Sequence, residues 1–264
     1  MVEALLRRER RVVAAALLVL VVLAWAYVVQ GAGMGMSAWQ MTSLSLFPHR
    51  QAEVPGEMPV AWPILIAMWW VMMIGMMTPS AAPLVLLYVR VLRAHSPGAG
   101  VGRAAALLLA GYLAAWLGFS LAAAGLQQAL QSLGWLSGMM LWSRSAWLSA
   151  AVLGLAGLYQ LTAAKRACLT RCRSPVGFLT RHGRGASFML GLRHGAYCVG
   201  CCGLLMALLF VGGVMNLVWI AVLTAVVLVE KLLPAGTAFG HADRKSGSAG
   251  MPRPTDESRM PSSA

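Results

Sequence analysis

Long apolar runs are the feature of this sequence that most restricts its fold. A bilayer core about 30 Å thick is crossed by about 20 mostly apolar helical residues. Six runs come close to this length, at positions 12–29, 60–79, 104–126, 146–163, 195–211 and 214–233. The second run can continue to position 92. We therefore predict an all-α fold, a polytopic membrane protein built as a bundle of six transmembrane helices.

Composition supports the membrane class. The chain is 59% hydrophobic and 11% charged, whereas soluble domains have about 25% charged residues. Gly212 and Gly213 separate the last two runs, and glycine makes a tight turn at low steric cost. The last two helices are therefore predicted to form a helical hairpin.

The distribution of positive charge predicts the orientation. The net charge is +13, which in a soluble protein would point to nucleic acid. Here every lysine and arginine except Arg50 and Arg144 falls on one side of the alternating segments. Cytoplasmic loops carry an excess of Lys and Arg. We therefore predict cytoplasmic N and C termini, a bacterial inner (cytoplasmic) membrane location and no nucleic-acid partner.

Three regions are predicted along the chain. Residues 1–59 form an N-terminal anchor helix and a periplasmic Met-rich loop, and residues 60–236 form a membrane domain of five helices. The first apolar run starts like a signal peptide but is long for one, so we predict a retained anchor. Residues 237–264 are rich in Ser, Pro, Gly and charge and are predicted to be a disordered cytoplasmic tail.

The five cysteines fall in two groups on the predicted cytoplasmic side. Cys198, Cys201 and Cys202 follow the spacing i, i+3, i+4 and share one face of a helix. Cys168 and Cys172 are four residues apart in the preceding loop and face together if that loop is helical. We place the helical trio within about two turns of the cytoplasmic end of the fifth run, so both groups are expected at similar depth.

Thiols in a reducing compartment seldom form stable disulfides. Thiolates are soft ligands for Cu(I), zinc or iron–sulfur clusters, and His194 or His182 could complete a zinc site. The alternative is that these cysteines are small buried hydrophobic residues, since free cysteine packs well.

Methionine is the second signal, with 17 in the chain. Met68, Met72 and Met76 form one stripe of the second run, and Met73 and Met77 form another beside it. Thioethers also suit Cu(I). The stripes therefore predict a copper route towards the thiols, although methionine equally fills gaps between helices. The periplasmic loop adds further candidate ligands, Met34, Met36, Met41, Met58 and His49.

Glu230 is the only carboxylate within any predicted span. An intramembrane acid is costly and marks a functional candidate. It could offset the charge of a bound cation or pair with Lys231, Lys165 or Arg166. The alternative is an interfacial residue whose head group reaches the water.

No sequence motif predicts hydrolysis or nucleotide-driven pumping. The chain has no GxxxxGK[ST] loop, no GxSxG elbow and no HExxH. It also has no pair of buried carboxylates for acid–base chemistry.

Several motifs of the sequence are found together in one known family. They are Trp69 to Pro83, Gly111, Tyr112, Trp116, Gly157 to Gln160, Lys165, Cys168, Cys172, Arg173, Pro175, Gly195 to Cys202, Leu205, Met206, Gly213 to Asn216, Glu230 and Lys231. As a set, these residues resemble the bacterial and archaeal family of predicted metal-binding integral membrane proteins, a domain of unknown function. The likeness covers about residues 60–236. Gly203 departs from it, because the family usually has Trp after the paired cysteines, which puts the packing around the thiols in question.

The leading hypothesis is a membrane protein that binds or handles a soft metal ion, with Cu(I) as the expected ion and zinc as the alternative. Its expected partners are the lipid bilayer and a soluble or periplasmic metalloprotein. One alternative is a thiol oxidoreductase, in which Cys198 and Cys201 pass electrons to Cys168 and Cys172. The other alternative is a non-catalytic membrane anchor or assembly subunit. The predicted metal ligands are Cys168, Cys172, Cys198, Cys201, Cys202, Met72, Met76 and Glu230.

Overall fold

The computed structural model describes residues 2–33, 37–46, 61–95, 100–136, 146–182 and 185–232. Within these ranges the regular structure is entirely helical, which confirms the predicted all-α class. The predictions made for Met34, Met36, His49, Arg50, Met58, Arg144 and the tail 237–264 lie outside the described residues.

The described helices are α1 Val2–Val29, α2 Ala38–Leu46, α3 Trp62–His95, α4 Val101–Ser132, α5 Ala146–Gln160, α6 Ala163–Arg173, α7 Pro175–His182, α8 Ser187–Ala207, α9 Leu209–Gly212 and α10 Leu217–Leu232. The second predicted span proves to be much longer than its apolar core. It runs as α3 through Pro79 and Pro83 to His95.

Four stretches of the described chain are long and apolar enough to cross a membrane: Arg10–Val29, Trp62–Ala94, Val101–Ser132 and Ser187–Gly212. A fifth is possible if α5 and α6 count as one span, although they are bent by 66° at their junction. The last predicted span corresponds to α10, which has only 16 residues. The count of six spans therefore stays a prediction.

Helices α4 and α8 approach each other closely through glycines. A Cβ on Gly191 would overlap the carbonyl oxygen of Leu108, and a Cβ on Gly111 would overlap that of Phe188. Each backbone thus lies directly against the other, which only a residue without a side chain allows. This approach brings the thiol-bearing face of α8 next to α4.

The junction between α9 and α10 depends on both predicted turn glycines. Gly213 has φ +90°, in the left-handed region that favours glycine. A Cβ on Gly212 would overlap the Trp219 ring, and the indole Nε1–H of Trp219 donates to the carbonyl of Leu208 at 2.9 Å. The turn thereby returns α10 onto the end of the preceding helix.

Candidate metal centre

The three cysteines of α8 face the protein interior. Cys198, Cys201 and Cys202 are at most 1% exposed, as their shared helix face predicts. The start of their helix was predicted wrongly, however. Because α8 begins at Ser187 and not near Gly195, the thiols lie three to four turns inside it and not within two.

Thiols from α6 and α8 meet in this region. Cys201 Sγ lies 3.7 Å from Cys172 Sγ and 3.2 Å from Cys202 Sγ. Cys172 is half-buried on α6 and precedes Cys201 by 29 residues in the sequence. The two predicted cysteine groups are thus joined by a direct contact between sulfur atoms.

Cys168 packs against the same part of α8. A Cβ on Gly200 would lie 3.2 Å from Cys168 Sγ, so the missing side chain at Gly200 leaves room for this thiol. The Tyr159 hydroxyl donates to the carbonyl of Gly200 and ties α5 to the same turn. All five cysteines are free and lie on or against one segment of α8.

Lys231 is a cationic neighbour of the thiols that the sequence did not reveal. Its Nζ lies 2.7 Å from Cys198 Sγ and 3.1 Å from Ser80 Oγ. From sequence, Lys231 was considered only as a partner for Glu230. A positive charge at this distance, away from water, stabilises negative charge on sulfur.

Tyr112 links Cys198 to α3. Its hydroxyl donates to the carbonyl of Met77 at 3.0 Å and lies 3.1 Å from Cys198 Sγ. Ser80 also donates to that carbonyl at 2.8 Å. Cys198 is therefore surrounded by polar groups from α3, α4 and α10, whereas Cys201 contacts other sulfur atoms. The Gly111–Tyr112 pair in the family resemblance was the sequence signal for this contact.

Glu230 forms an ion pair across α6 and α10. Both of its carboxylate oxygens accept from Lys165 Nζ at 2.9 Å. Lys165 is 3% exposed. The structure thus selects Lys165 among the partners considered from sequence, and a metal-ligand role for Glu230 stays a prediction.

The predicted methionine ligands lie in the protein core. Met72 and Met76 are each 1% exposed, and Met68, Met73 and Met77 are fully buried. They belong to the same apolar cluster as Cys198, Cys201 and Cys202. This packing agrees with both readings of the stripe, so their role as ligands stays a prediction.

Gly203, which follows the paired cysteines, and His194, a candidate zinc ligand, both lie next to aromatic rings. The Phe119 ring lies 3.5 Å from the position that a Cβ on Gly203 would take, so an aromatic side chain from α4 packs at that position. His194 is buried, and its Nδ1 has no hydrogen-bond partner. Its ring packs on Tyr112 with 5.8 Å between centroids, which places it behind the phenol that contacts Cys198.

The thiols are chemically suited to bind a soft metal ion, but they are not arranged as a complete metal site. Within the described ranges, no group of three or more His, Cys, Asp or Glu side chains is positioned to hold a metal ion as it stands. Two sulfur ligands about 2.3 Å from one ion lie within about 4.6 Å of each other. The 3.7 Å between Cys172 and Cys201 and the 3.2 Å between Cys201 and Cys202 both meet that condition.

The described residues define a class of protein that is all-helical, has several segments long and apolar enough to cross a membrane, and buries thiols between its helices. Within that class, the chain belongs to the PpoB2 family, described as copper chaperone, whose model matches residues 66–243. The match agrees with the metal-related family that the sequence resembles. No curated protein and no solved structure matches the chain.

Proposed function

We propose that this protein is an integral membrane copper chaperone that holds Cu(I) between α6 and α8. The ligands are drawn from Cys172, Cys201 and Cys202, with Cys198 and Cys168 beside them. The contact between Cys201 Sγ and Cys172 Sγ at 3.7 Å carries the proposal. It joins soft donors from two separate segments in a chain whose family is described as copper chaperone.

The surroundings favour Cu(I) over harder ions. Thiolate and thioether sulfur select Cu(I), whereas carboxylates and carbonyls suit magnesium, calcium or manganese. The one acid of the predicted spans, Glu230, is already paired with Lys165. Two thiolates and one Cu(I) carry a net charge of −1, and Lys231 supplies a compensating positive charge next to Cys198. A buried charge without such compensation is costly.

The length of α3 supports a position for the site at one membrane boundary. The helix has 34 residues, about 51 Å at 1.5 Å per residue, so it exceeds a hydrocarbon core of about 30 Å. Ser80, which contacts Lys231, lies about 27 Å along the axis from Trp62. The distribution of Lys and Arg favours a cytoplasmic position for the end of α3 that lies beyond Ser80. The proposed location is the bacterial inner membrane, with both termini inside.

The methionine stripe supports a route to the thiols from the opposite face. Met68, Met72 and Met76 are spaced by one helical turn each along α3 and are buried. Successive thioethers about 6 Å apart along the axis offer weak Cu(I) ligands between the outer end of α3 and the thiols. In this proposal copper passes along the stripe before the cysteines bind it more tightly.

The test is Cu(I) titration of the purified full-length protein under reducing conditions. Cys172→Ser and Cys201→Ser are expected to lose high-affinity Cu(I) binding. Met189→Leu is the matched control, because Met189 is an exposed sulfur residue of the same helix and its loss leaves the thiols intact. Equal binding by the wild type and both cysteine variants would exclude the proposed site.

Thiol–disulfide exchange is the second candidate, and the same cross-helix contact favours it. Cys172 and Cys201 would form a disulfide while a disulfide substrate accepts their two electrons and two protons. Counting alkylated thiols before and after incubation with an oxidised dithiol separates the candidates. Reversible loss of two reactive thiols favours exchange, whereas protection only by added Cu(I) favours the copper site.

A further inference from the structure

A cavity of about 480 Å³ lies between α6, α7 and α8, and no cysteine lines it. Arg171, Arg181 and His182 contribute basic side chains to its lining, and Tyr197 forms part of its wall. The remaining lining residues are mostly small or hydroxyl-bearing: Thr170, Ser174, Gly177, Phe178 and Thr180. The proposed copper chemistry uses none of these groups.

Two of the lining groups are held in place by contacts that leave them able to bind an anion. The guanidinium carbon of Arg171 lies 4.9 Å from the centroid of the Tyr197 ring, and stacking of this kind leaves the edge donors of arginine free. Ser174 Oγ accepts from the backbone N–H of Gly177 at 3.3 Å, so its own O–H can still donate.

The protein offers almost no internal acid to neutralise these arginines. Between residues 58 and 242 the sequence contains a single carboxylate, Glu230, and that group is bound to the buried Lys165. The segments on either side of this region each contain more basic than acidic residues. That stretch therefore leaves no carboxylate for Arg171 and Arg181, and an anion from outside the chain is suited to this role.

The position of the cavity indicates the source of the anion. Tyr197 lies in the half of the span Ser187–Gly212 that is nearer to Ser187, and in the proposed orientation that half faces the cytoplasmic boundary of the membrane. Phospholipid phosphates occupy that boundary, and basic pockets between membrane helices on the cytoplasmic side bind lipid head groups. Arginine also pairs with phosphate through two parallel hydrogen bonds.

We propose that the cavity between α6, α7 and α8 binds the phosphate of an anionic phospholipid from the cytoplasmic leaflet through Arg171, Arg181 and Ser174. The site rests on the proposed membrane orientation but not on copper binding. Because α6 also carries Cys172, a bound lipid would hold the thiol-bearing helix against α7 and α8.

The experiment measures lipid binding by the full-length protein without copper. Native mass spectrometry would count retained phosphatidylglycerol, phosphatidylcholine or inorganic phosphate, and thermal unfolding would be recorded with each. The test variant is Arg171→Gln/Arg181→Gln. The control, Arg166→Gln/Arg193→Gln, removes the same charge at two exposed arginines of α6 and α8 that do not line the cavity.

Phosphatidylglycerol should bind the wild type and the control alike and raise their unfolding temperature. Binding to the test variant should fall by about tenfold or more, since charge-assisted hydrogen bonds are lost. A response to inorganic phosphate alone, abolished in the test variant, would support phosphate recognition but assign it to a soluble source. Equal weakening in both double variants, or no binding to the wild type, would overturn the proposal. Arg171→Lys/Arg181→Lys, which keeps the charge, replaces the test variant if that variant fails to fold.

Because copper is absent, a failure here leaves the copper proposal untouched. Conversely, loss of Cu(I) binding in Cys201→Ser with lipid binding unchanged would leave the lipid site standing. The copper proposal and the lipid proposal depend on different residues, so each can fail without the other.

Discussion

Lys231 Nζ lies 2.7 Å from Cys198 Sγ, which joins the last turn of α10 to the middle of α8. The contact places a positive charge beside buried sulfur atoms that would become anionic when they bind Cu(I). Since the thiolate is the form that binds metal, the neighbouring ammonium group is expected to assist binding.

Replacing Lys231 with methionine should weaken Cu(I) binding by about tenfold, because the loss of one compensating charge costs about 1.4 kcal/mol or more in a site shielded from water. Competition with a colourless Cu(I) chelator would measure the affinity. Ser80→Ala is the control, since it removes the other contact of Lys231 Nζ without changing charge. Unchanged or tighter binding in Lys231→Met would contradict a supporting role for this charge.

Replacing Glu230 with glutamine should lower the free energy of unfolding by about 2 kcal/mol or more, because it leaves the buried Lys165 ammonium without its carboxylate. Thermal unfolding in detergent would measure the change. The double variant Lys165→Met/Glu230→Leu should lose less stability than Glu230→Gln, since it removes both charges together.

The same Glu230→Gln variant tests the carboxylate as a metal ligand. An ion pair without a role in binding predicts unchanged Cu(I) stoichiometry in the folded variant. A loss of copper as large as that of Cys201→Ser would instead assign Glu230 to the metal site.

Replacing Met72 and Met76 with leucine should slow copper loading but leave the affinity of the thiols unchanged. Leucine keeps the volume of the core at a cost usually below about 1.5 kcal/mol per site, while it removes the thioethers. The rate of Cu(I) uptake by protein in vesicles, with copper added on the side facing Trp62, should fall several-fold. Met189→Leu should load at the wild-type rate. Equal rates in the wild type and both variants would show that the methionine stripe only packs the core.

Replacing Gly191 with alanine should destabilise the fold by about 3 kcal/mol or more, because the added Cβ would overlap the carbonyl oxygen of Leu108. Gly118→Ala is the matched control, as a Cβ at Gly118 meets nothing within 4 Å. The measurement is the unfolding temperature of both variants in the same detergent. Similar temperatures would show that α4 and α8 do not depend on this approach.

Much of the fold class could be predicted because it depends on local patterns. The helical character of the apolar runs and the shared face of Cys198, Cys201 and Cys202 are properties of single helices, and both are found as predicted. Helix ends were harder to predict. No proline separates Ser187 from Gly195, so α8 can start earlier than the apolar run does. The number of spans depends on such helix ends.

Local patterns in the amino-acid sequence predict helices that are rich in soft sulfur donors and poor in acids. Which of those groups meet depends on how the helices pack. Cys201 contacts Cys172, Lys231 contacts Cys198 and Glu230 pairs with Lys165 because α8 lies against α4, with α6 and α10 packed around it. The physical reason is that helix periodicity acts within a few residues, whereas these contacts join positions from 29 to 65 residues apart.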